Sequence, residues 1–211
     1  MHKIRNKGTG KLKNFIKACV PALILLILWQ LAFLSGKWSA YVLPGPEKVW
    51  KSFVTMTGNG TLFKHVLVSF KRVLTGFSIS FVCAFCLGMI AALKKDLEVY
   101  YGPYVEFMRN VPPISLIALL ILWFGIGETS KIIIIVLASF FPMFMNIRKG
   151  LLSCDKKLLE VGKTCGLSKT ACFFKIRLPW AFPDILVGMR IGLGYSWRAI
   201  IGAEMIAAGK G

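Results

Sequence analysis

The sequence predicts an all-α, polytopic membrane protein with five transmembrane helices in this chain. Three observations lead there. The 211 residues are 56% hydrophobic and only 17% charged, with a mean hydropathy of +0.66; soluble domains run near a quarter charged. The apolar residues fall in blocks, several of which reach or approach the ~17–25 residues that cross a bilayer. The 27 lysines and arginines, set against nine acids, lie mostly between those blocks, where cations hold helix ends against anionic lipid.

The same composition narrows the function classes. A net charge of +18 would raise nucleic-acid binding in a soluble protein. No soluble face here interleaves basic and aromatic residues, so no nucleic-acid partner is expected. Cys83 and Cys86 form a CxxC inside an apolar run and read as small hydrophobes. Cys154, Cys165 and Cys172 share one polar loop and are expected as free cytoplasmic thiols, and Cys19 completes the set without implying a disulfide framework. His2 and His65 are isolated, so no metal site is expected. No P-loop, Walker-type glycine run or nucleophile motif is present. The chain should therefore carry no catalytic residue and not hydrolyse ATP itself.

Residues 1–17 form a basic tail. The first span runs from Ala18 to about Leu34, some 25 Å at ~1.5 Å per residue. It is longer than the ~7–15-residue core of a signal peptide and no A-x-A-like cleavage site follows, so it is expected to be retained. Pro44-Gly45-Pro46 make a turn, and Glu47–Thr57 reads as a short amphipathic helix with Val49, Trp50, Phe53 and Val54 on one side, ended by Gly58-Asn59-Gly60. This first span and outer loop make up residues 18–62, and residues 63–211 hold the remaining transmembrane domain. The second span is Val73–Leu93, uncharged between Arg72 and Lys94. A charged loop, KKDLEVYYGPYVEFMRN, follows, in which Asp96, Glu98 and Glu106 are expected to be solvated. The third span is Val111–Gly127, opened by Pro112 and Pro113, which a first turn tolerates. GETSK is a tight turn, with Glu128, Thr129 and Ser130 as caps, so spans three and four are antiparallel neighbours. The fourth span, Ile132–Ile147, carries Pro142, a kink signal. The fifth apolar segment runs from about Ile185 to Ala208.

Orientation follows from the basic residues. The tail carries Lys3, Arg5, Lys7, Lys11, Lys13 and Lys17; the loop between spans four and five carries Arg148, Lys149, Lys156, Lys157, Lys163, Lys169, Lys175 and Arg177; the turn between spans three and four has only Lys131. A cytoplasmic N-terminus puts the long loop inside and the tight turn outside. Residues 35–72, with Lys37, Lys48, Lys51, Lys64, Lys71 and Arg72, run against the rule.

The long loop, about residues 149–178, has a structure of its own. Asp155 can cap a helix starting at Lys156. Leu158, Val161, Gly162 and Cys165 then fall at i, i+3, i+4 and i+7, one apolar stripe. Glu160 is spaced to pair with Lys156 or Lys163. Gly166 fits the left-handed position that closes a helix. Ser168 can cap a second helix from Lys169 to about Arg177, terminated by Pro179. The apolar stripe has to lie on the membrane, on the protein's own spans, or in the groove of a partner.

Glu160, Gly166 six residues on, and Ile176-Arg177-Leu178-Pro179 resemble the EAA loop of ABC importer permeases, with Val161 and Gly162 in place of the two alanines. LPGPEKVW, VPPISLIALLILWFGIGETSK, FFPMFMN and GMRIGLGYSWRAIIGAEMIAA are similar to the nitrate/sulfonate/taurine branch, so that the resemblance covers roughly residues 40–208. It implies the type I ABC importer permease fold, usually with six helices, in which a further span and tail follow AEMIAA; the chain is expected to be truncated there. It implies that the loop is a coupling helix docked on cytoplasmic ABC ATPase subunits, through Glu160, Val161, Gly162, Gly166, Ile176, Leu178 and Pro179. ATP and Mg would be bound by that partner, with no cofactor in this chain. Further implied partners are an extracytoplasmic solute-binding protein and a second permease copy, as a homodimer in the plasma (inner) membrane. The solute would be small and anionic, such as a sulfonate, taurine or nitrate. The same importer type for a thiamine-precursor pyrimidine, a stand-alone channel or secondary transporter, and a non-transporting scaffold are the alternatives.

In the fifth segment Arg190, Trp197 and Glu204 are spaced by sevens and share one helix face. Arg190 and Glu204 lie about 21 Å apart along the axis and cannot pair with each other. A charge at bilayer depth costs a few kcal/mol or more, so Arg198 should face protein or water. Arg190, Trp197, Arg198 and Glu204 are the candidates for a translocation pathway. The structural alternative has Arg190 snorkelling, Glu204 at the outer interface and Arg198 paired with an acid elsewhere. Gly188 and Gly192 form GxxxG, which favours close helix packing.

Overall fold

A computed structural model describes residues 7–208, without the side chains of residues 7–16, 18, 95, 207 and 208. Residues 1–6 of the expected basic tail, and the Gly209-Lys210-Gly211 end, lie outside the described residues; the rest of the tail, from Lys7, is helical. Every regular element among the described residues is helical. The chain divides into two compact units, residues 1–66 and 67–211.

The first unit holds α1 (Lys7–Leu34), α2 (Pro46–Gly58) and the start of α3 (Thr61–Leu93). Gly36, at φ 66°, lies just past the end of α1. Trp29 Nε1 donates to Pro44 O at 3.0 Å and folds the connection back. Glycine at 45 gives the Phe33 ring room: a Cβ there would stand 3.0 Å from it. Pro46 opens α2, where a missing N–H costs nothing. Val49, Trp50, Phe53 and Val54 are all exposed, and Asn59 with Gly60 (φ 72°) ends the helix as expected.

The second unit is built around α6 (Glu128–Leu152), packed between α3 and the last helix, α9 (Leu178–Ala208). Small residues make both contacts possible. Gly76, Ser80, Ala84, Gly88 and Ala91 form a buried stripe on α3; a Cβ at Gly76 would lie 2.6 Å from Ile135, and one at Gly88 2.9 Å from Ile147. On the other side, a Cβ at Gly188 would lie 2.9 Å from Asn146 Cβ, and one at Gly192 2.7 Å from Met143. In lipid, where apolar burial does not drive helices together, such close approach is a main source of attraction. The GxxxG therefore packs, as expected.

Four expectations need correction. The charged stretch after Lys94 is not a loop: a 3₁₀ turn (Lys95–Leu97) leads into α4 (Glu98–Asn110). Tyr101 and Val105 pack against the core beside Phe144 and hold this helix in place. Glu98 is not simply solvated but ion-pairs with Arg148. The third span is broken: Pro112 forces Val111 into an extended conformation, a 3₁₀ turn (Pro113–Leu116) follows, and α5 (Ile117–Phe124) is only eight residues long. The two halves meet at 89°. In the tight turn, Gly125 has φ 74°, and Ser130 alone caps, its Oγ accepting from Gly127 N at 3.4 Å while it donates to Gly125 O at 2.9 Å; Glu128 is used elsewhere. The fourth correction is at Pro179, which terminates nothing. A π turn (Phe173–Arg177) carries the chain into α9. Its wider hydrogen-bond register absorbs the missing Pro179 N–H and the ring's bulk.

By length and composition α3 and α6 can cross a membrane, and the bent α4–α5 pair would make a third crossing. The apolar part of α1, Cys19–Leu34, is shorter. The 31-residue α9 carries Asp184, Arg190, Arg198 and Glu204. α6 passes Pro142 without a break, and Asn146 Nδ2 donates to the Pro142 carbonyl at 2.8 Å.

Candidate functional site

The polar segment between α6 and α9 is a two-helix corner, α7 (Lys156–Thr164) and α8 (Lys169–Cys172). Local chemistry specifies it almost completely. Asp155 Oδ1 accepts from Lys157 N at 2.9 Å, and Ser168 Oγ accepts from Ala171 N at 3.2 Å. Between the helices Gly166 sits at φ 78°. Its N–H donates to Lys163 O and that of Leu167 to Gly162 O, at 2.9 and 3.0 Å, the paired bonds of a Schellman closure. Burial pushes the Cys154 thiol at the foot of the corner up from its ordinary pKa; Arg177 opposes this and Asp155 adds to it.

The expected stripe does not act as one surface. Gly162 is buried, while Leu158, Val161 and Cys165 are exposed. Gly162 faces α8 and the π turn so closely that a Cβ would lie 2.5 Å from Ile176 Cδ1 and 3.2 Å from Cys172 Sγ. That is a physical reason for glycine at this position. One hundred degrees around the helix, Val161 points outward at 62% exposure. Leu158, one turn earlier, is also exposed, leaving an apolar pair beside Lys157 on the outer face of α7. Glu160 is exposed, and no lysine lies within ion-pair distance of it among the described residues, so the expected pairs with Lys156 and Lys163 do not form. Ile176 and Leu178 are half-buried and Pro179 is exposed.

At the far end of α9 the structure assembles a cluster that sequence reasoning missed. Arg72 on α3 reaches two helices at once. Its Nε donates to Glu128 Oε2 at 2.6 Å, and its Nη1 to Glu204 Oε1 at 2.8 Å. Ser69 Oγ donates to the same Glu204 carboxylate at 2.7 Å. The Arg72 side chain is only 17% exposed. Planar guanidinium geometry allows one residue to hold two carboxylates with separate edges. Glu204 is therefore one arm of a three-helix clasp.

The other residues of the expected pathway are not brought together with it. Arg190 is exposed. Trp197 lies over Phe70 with ring centroids 6.2 Å apart. Arg198 is exposed and stacks on the Tyr195 ring at 5.4 Å. Neither arginine has a carboxylate within ion-pair distance among the described residues, so the expected acid partner for Arg198 is not found.

Comparisons with known proteins agree with this architecture. The family model for binding-protein-dependent transport system inner membrane components matches residues 84–211. A protein of Escherichia coli K12 named as an aliphatic sulfonates transport permease, SsuC, is 39% identical over 89% of this chain and 71% of its own length. The taurine transport system permease protein TauC of the same organism is 33% identical over the whole chain and 79% of its own length. The bicarbonate transport system permease protein CmpB of Synechococcus elongatus is 29% identical over 96% of this chain and 76% of its own. Among solved structures, a chain from the crystal structure of an amino acid ABC transporter with histidines superposes with a TM-score of 0.58 at 16% identity, over 72% of this chain and 76% of that one. The chain belongs to the family of binding-protein-dependent transport system inner membrane components: it is a multi-pass inner-membrane permease of an ABC transporter, cofactor-free and not itself the ATPase.

Proposed function

We propose that the chain is the pore-forming subunit of an ATP-driven importer for a small anionic solute, such as a sulfonate, taurine or nitrate. The permeases named for sulfonates, taurine and bicarbonate support that class. The N-terminal tail (1–17) is cytoplasmic, residues 18–62 supply a first span and outer loop, and residues 63–211 carry four further spans, five in all. A second copy completes the pore as a homodimer, and a solute-binding protein delivers the solute from outside.

One observation carries the mechanism: the α7–α8 corner is closed by two side-chain caps and a left-handed glycine, presents Leu158 and Val161 outward, and runs through the π turn into α9 with no intervening loop. The ATPase subunit, which binds ATP and Mg, grips the apolar pair with Glu160 at its edge. Gly162, Gly166, Ile176, Leu178 and Pro179 shape the corner that is gripped. Displacement of the corner is then passed along the ~46 Å of α9 to Glu204 and the outer clasp. Arg190, Trp197 and Arg198 on the same helix are the pathway candidates, the arginines attracting the anion.

The test is co-purification with the partner ATPase in nanodiscs. Gly166→Val forces a β-branched residue to φ 78°, a conformation that costs on the order of 1–3 kcal/mol. Retention of the ATPase is expected to fall at least tenfold. A Gly166→Val chain that still holds the ATPase and transports normally refutes the lever.

A further inference from the structure

None of the 13 residues of α2 is buried. Isolated helices shorter than ~12–15 residues are marginal in water, so α2 needs a surface to lie on. Its residues sort cleanly by angle. At about 100° per residue, Met56, Val49, Phe53, Thr57, Trp50 and Val54 fall in one continuous arc of about 160°, whereas Glu47, Lys51, Thr55, Lys48 and Ser52 fill the opposite side. Val49, Trp50, Phe53 and Val54 are 42–66% exposed, and the Trp50 and Phe53 rings stack at 5.7 Å. The one hydroxyl in the arc is already used: Thr57 Oγ1 donates to Phe53 O at 2.7 Å. This face can therefore leave water without stranding a donor. On the polar side Lys51 pairs with Glu47 at 2.7 Å, both exposed.

The chain on either side of the turn says what the surface is. The Trp29–Pro44 hydrogen bond sets the approach to α2 back by five residues, ~7–8 Å, from the end of α1 at Leu34. Amphipathic helices in a bilayer interface sink their apolar face by about 5–10 Å, the same depth. The last turns of α1 expose Leu28, Leu31 and Leu34, and the connection exposes Trp38 and Tyr41, aromatic types that sit at headgroup level. A soluble partner's contact surface is on the whole about as polar as any other protein surface, and this arc offers it no free donor or acceptor. We infer that α2 lies in the bilayer interface, with its Val49–Trp50–Phe53–Val54 face among the acyl chains and its lysines toward water. The inference rests on α1 crossing the membrane, and not on the solute or the ATPase.

The test compares Ser52→Cys with Phe53→Cys in the full chain in nanodiscs. Each is labelled with a water-soluble maleimide and read by peptide mass spectrometry, so that the six native cysteines do not interfere. Both positions are exposed in the fold, so without lipid contact they should label alike. With it, Ser52→Cys is expected to label at least tenfold faster. Nanodiscs open both membrane faces to the reagent, which makes the result independent of orientation. A photoreactive benzophenone amino acid in place of Phe53 identifies the cover, and adducts to phospholipid are expected. Equal labelling rates overturn the inference, as do cross-links to a second copy of the chain in place of lipid. Protection of Phe53→Cys that appears only when a solute-binding protein is added overturns it too, and assigns the face to that protein. Leu26→Cys, midway along the apolar part of α1, separates the failures. If it is protected while Phe53→Cys labels freely, only the place of α2 is wrong; if it labels freely as well, α1 is not a span.

Discussion

Gly162 and Gly166 stand four residues apart and are glycine for different reasons. Gly166 needs its backbone conformation, whereas Gly162 needs space. The atom in the way at Gly162 is the terminal methyl of Ile176, the flexible end of a side chain. Gly162→Ala is therefore expected to cost under about 1 kcal/mol, while Gly162→Val, with branches that reach Cys172 as well, costs about 1–3 kcal/mol by overpacking. Thermal unfolding in nanodiscs separates the two, and Gly162→Val combined with Ile176→Ala should recover part of the loss. No recovery would mean that Ile176 is not the obstacle. The cysteines give a second residue-scale prediction. Cys165 is exposed, whereas Cys154 and Cys172 are buried, and burial pushes the Cys154 thiol further up from its ordinary pKa. Because the thiolate is the reactive form, a water-soluble maleimide at pH 7 should label Cys165 well before Cys154. Equal rates would contradict the packing at the foot of the corner.

At the scale of elements, the clasp orders three substitutions. Arg72 holds carboxylates from two helices and is nearly buried; Glu204 is 32% exposed and Glu128 60% exposed. Exposed pairs contribute about 0–1 kcal/mol, and hydrogen bonds to charged groups about 1.5–3 kcal/mol. Arg72→Gln should therefore destabilise most, by about 2–3 kcal/mol, then Glu204→Gln, then Glu128→Gln with little effect. A denaturant titration of each variant measures the order; Glu128→Gln as damaging as Arg72→Gln would rule out this division of labour. The α6–α9 contact behaves differently from the Gly162 contact. A methyl at Gly188 meets Asn146 Cβ and Met143 backbone, neither of which can swing aside. Gly188→Ala should separate the helices and cost about 1–3 kcal/mol, more than Gly162→Ala.

At the scale of the larger unit, the proposed orientation puts the α7–α8 corner and the start of α6 on opposite sides of the membrane. In right-side-out vesicles, an impermeant thiol reagent should reach a cysteine placed at the exposed Thr129 and should reach Cys165 only after permeabilisation. Cys165 labelled in sealed vesicles would invert the topology and remove the corner from the ATPase.

What was legible in the sequence was what acts over a few residues. Asp155, Ser168, Gly166 and Asn59-Gly60 cap helices through bonds to backbone two to five positions away, so their chemistry can be read from spacing alone. The apolar blocks declared a membrane protein because the bilayer sets a fixed length scale. The tertiary structure alone decided whatever depended on a partner distant in the chain. The 4-to-5 shift of register that carries Pro179 into α9 depends on how the corner packs on the last helix. The helical state of residues 98–110 depends on Phe144 and Arg148. The clasp joins Arg72 to acids 56 and 132 residues away. Each of those residues looked, in its own neighbourhood, like an ordinary flank or turn charge, because a charge advertises its sign in sequence but acquires its partner only when helices are laid side by side.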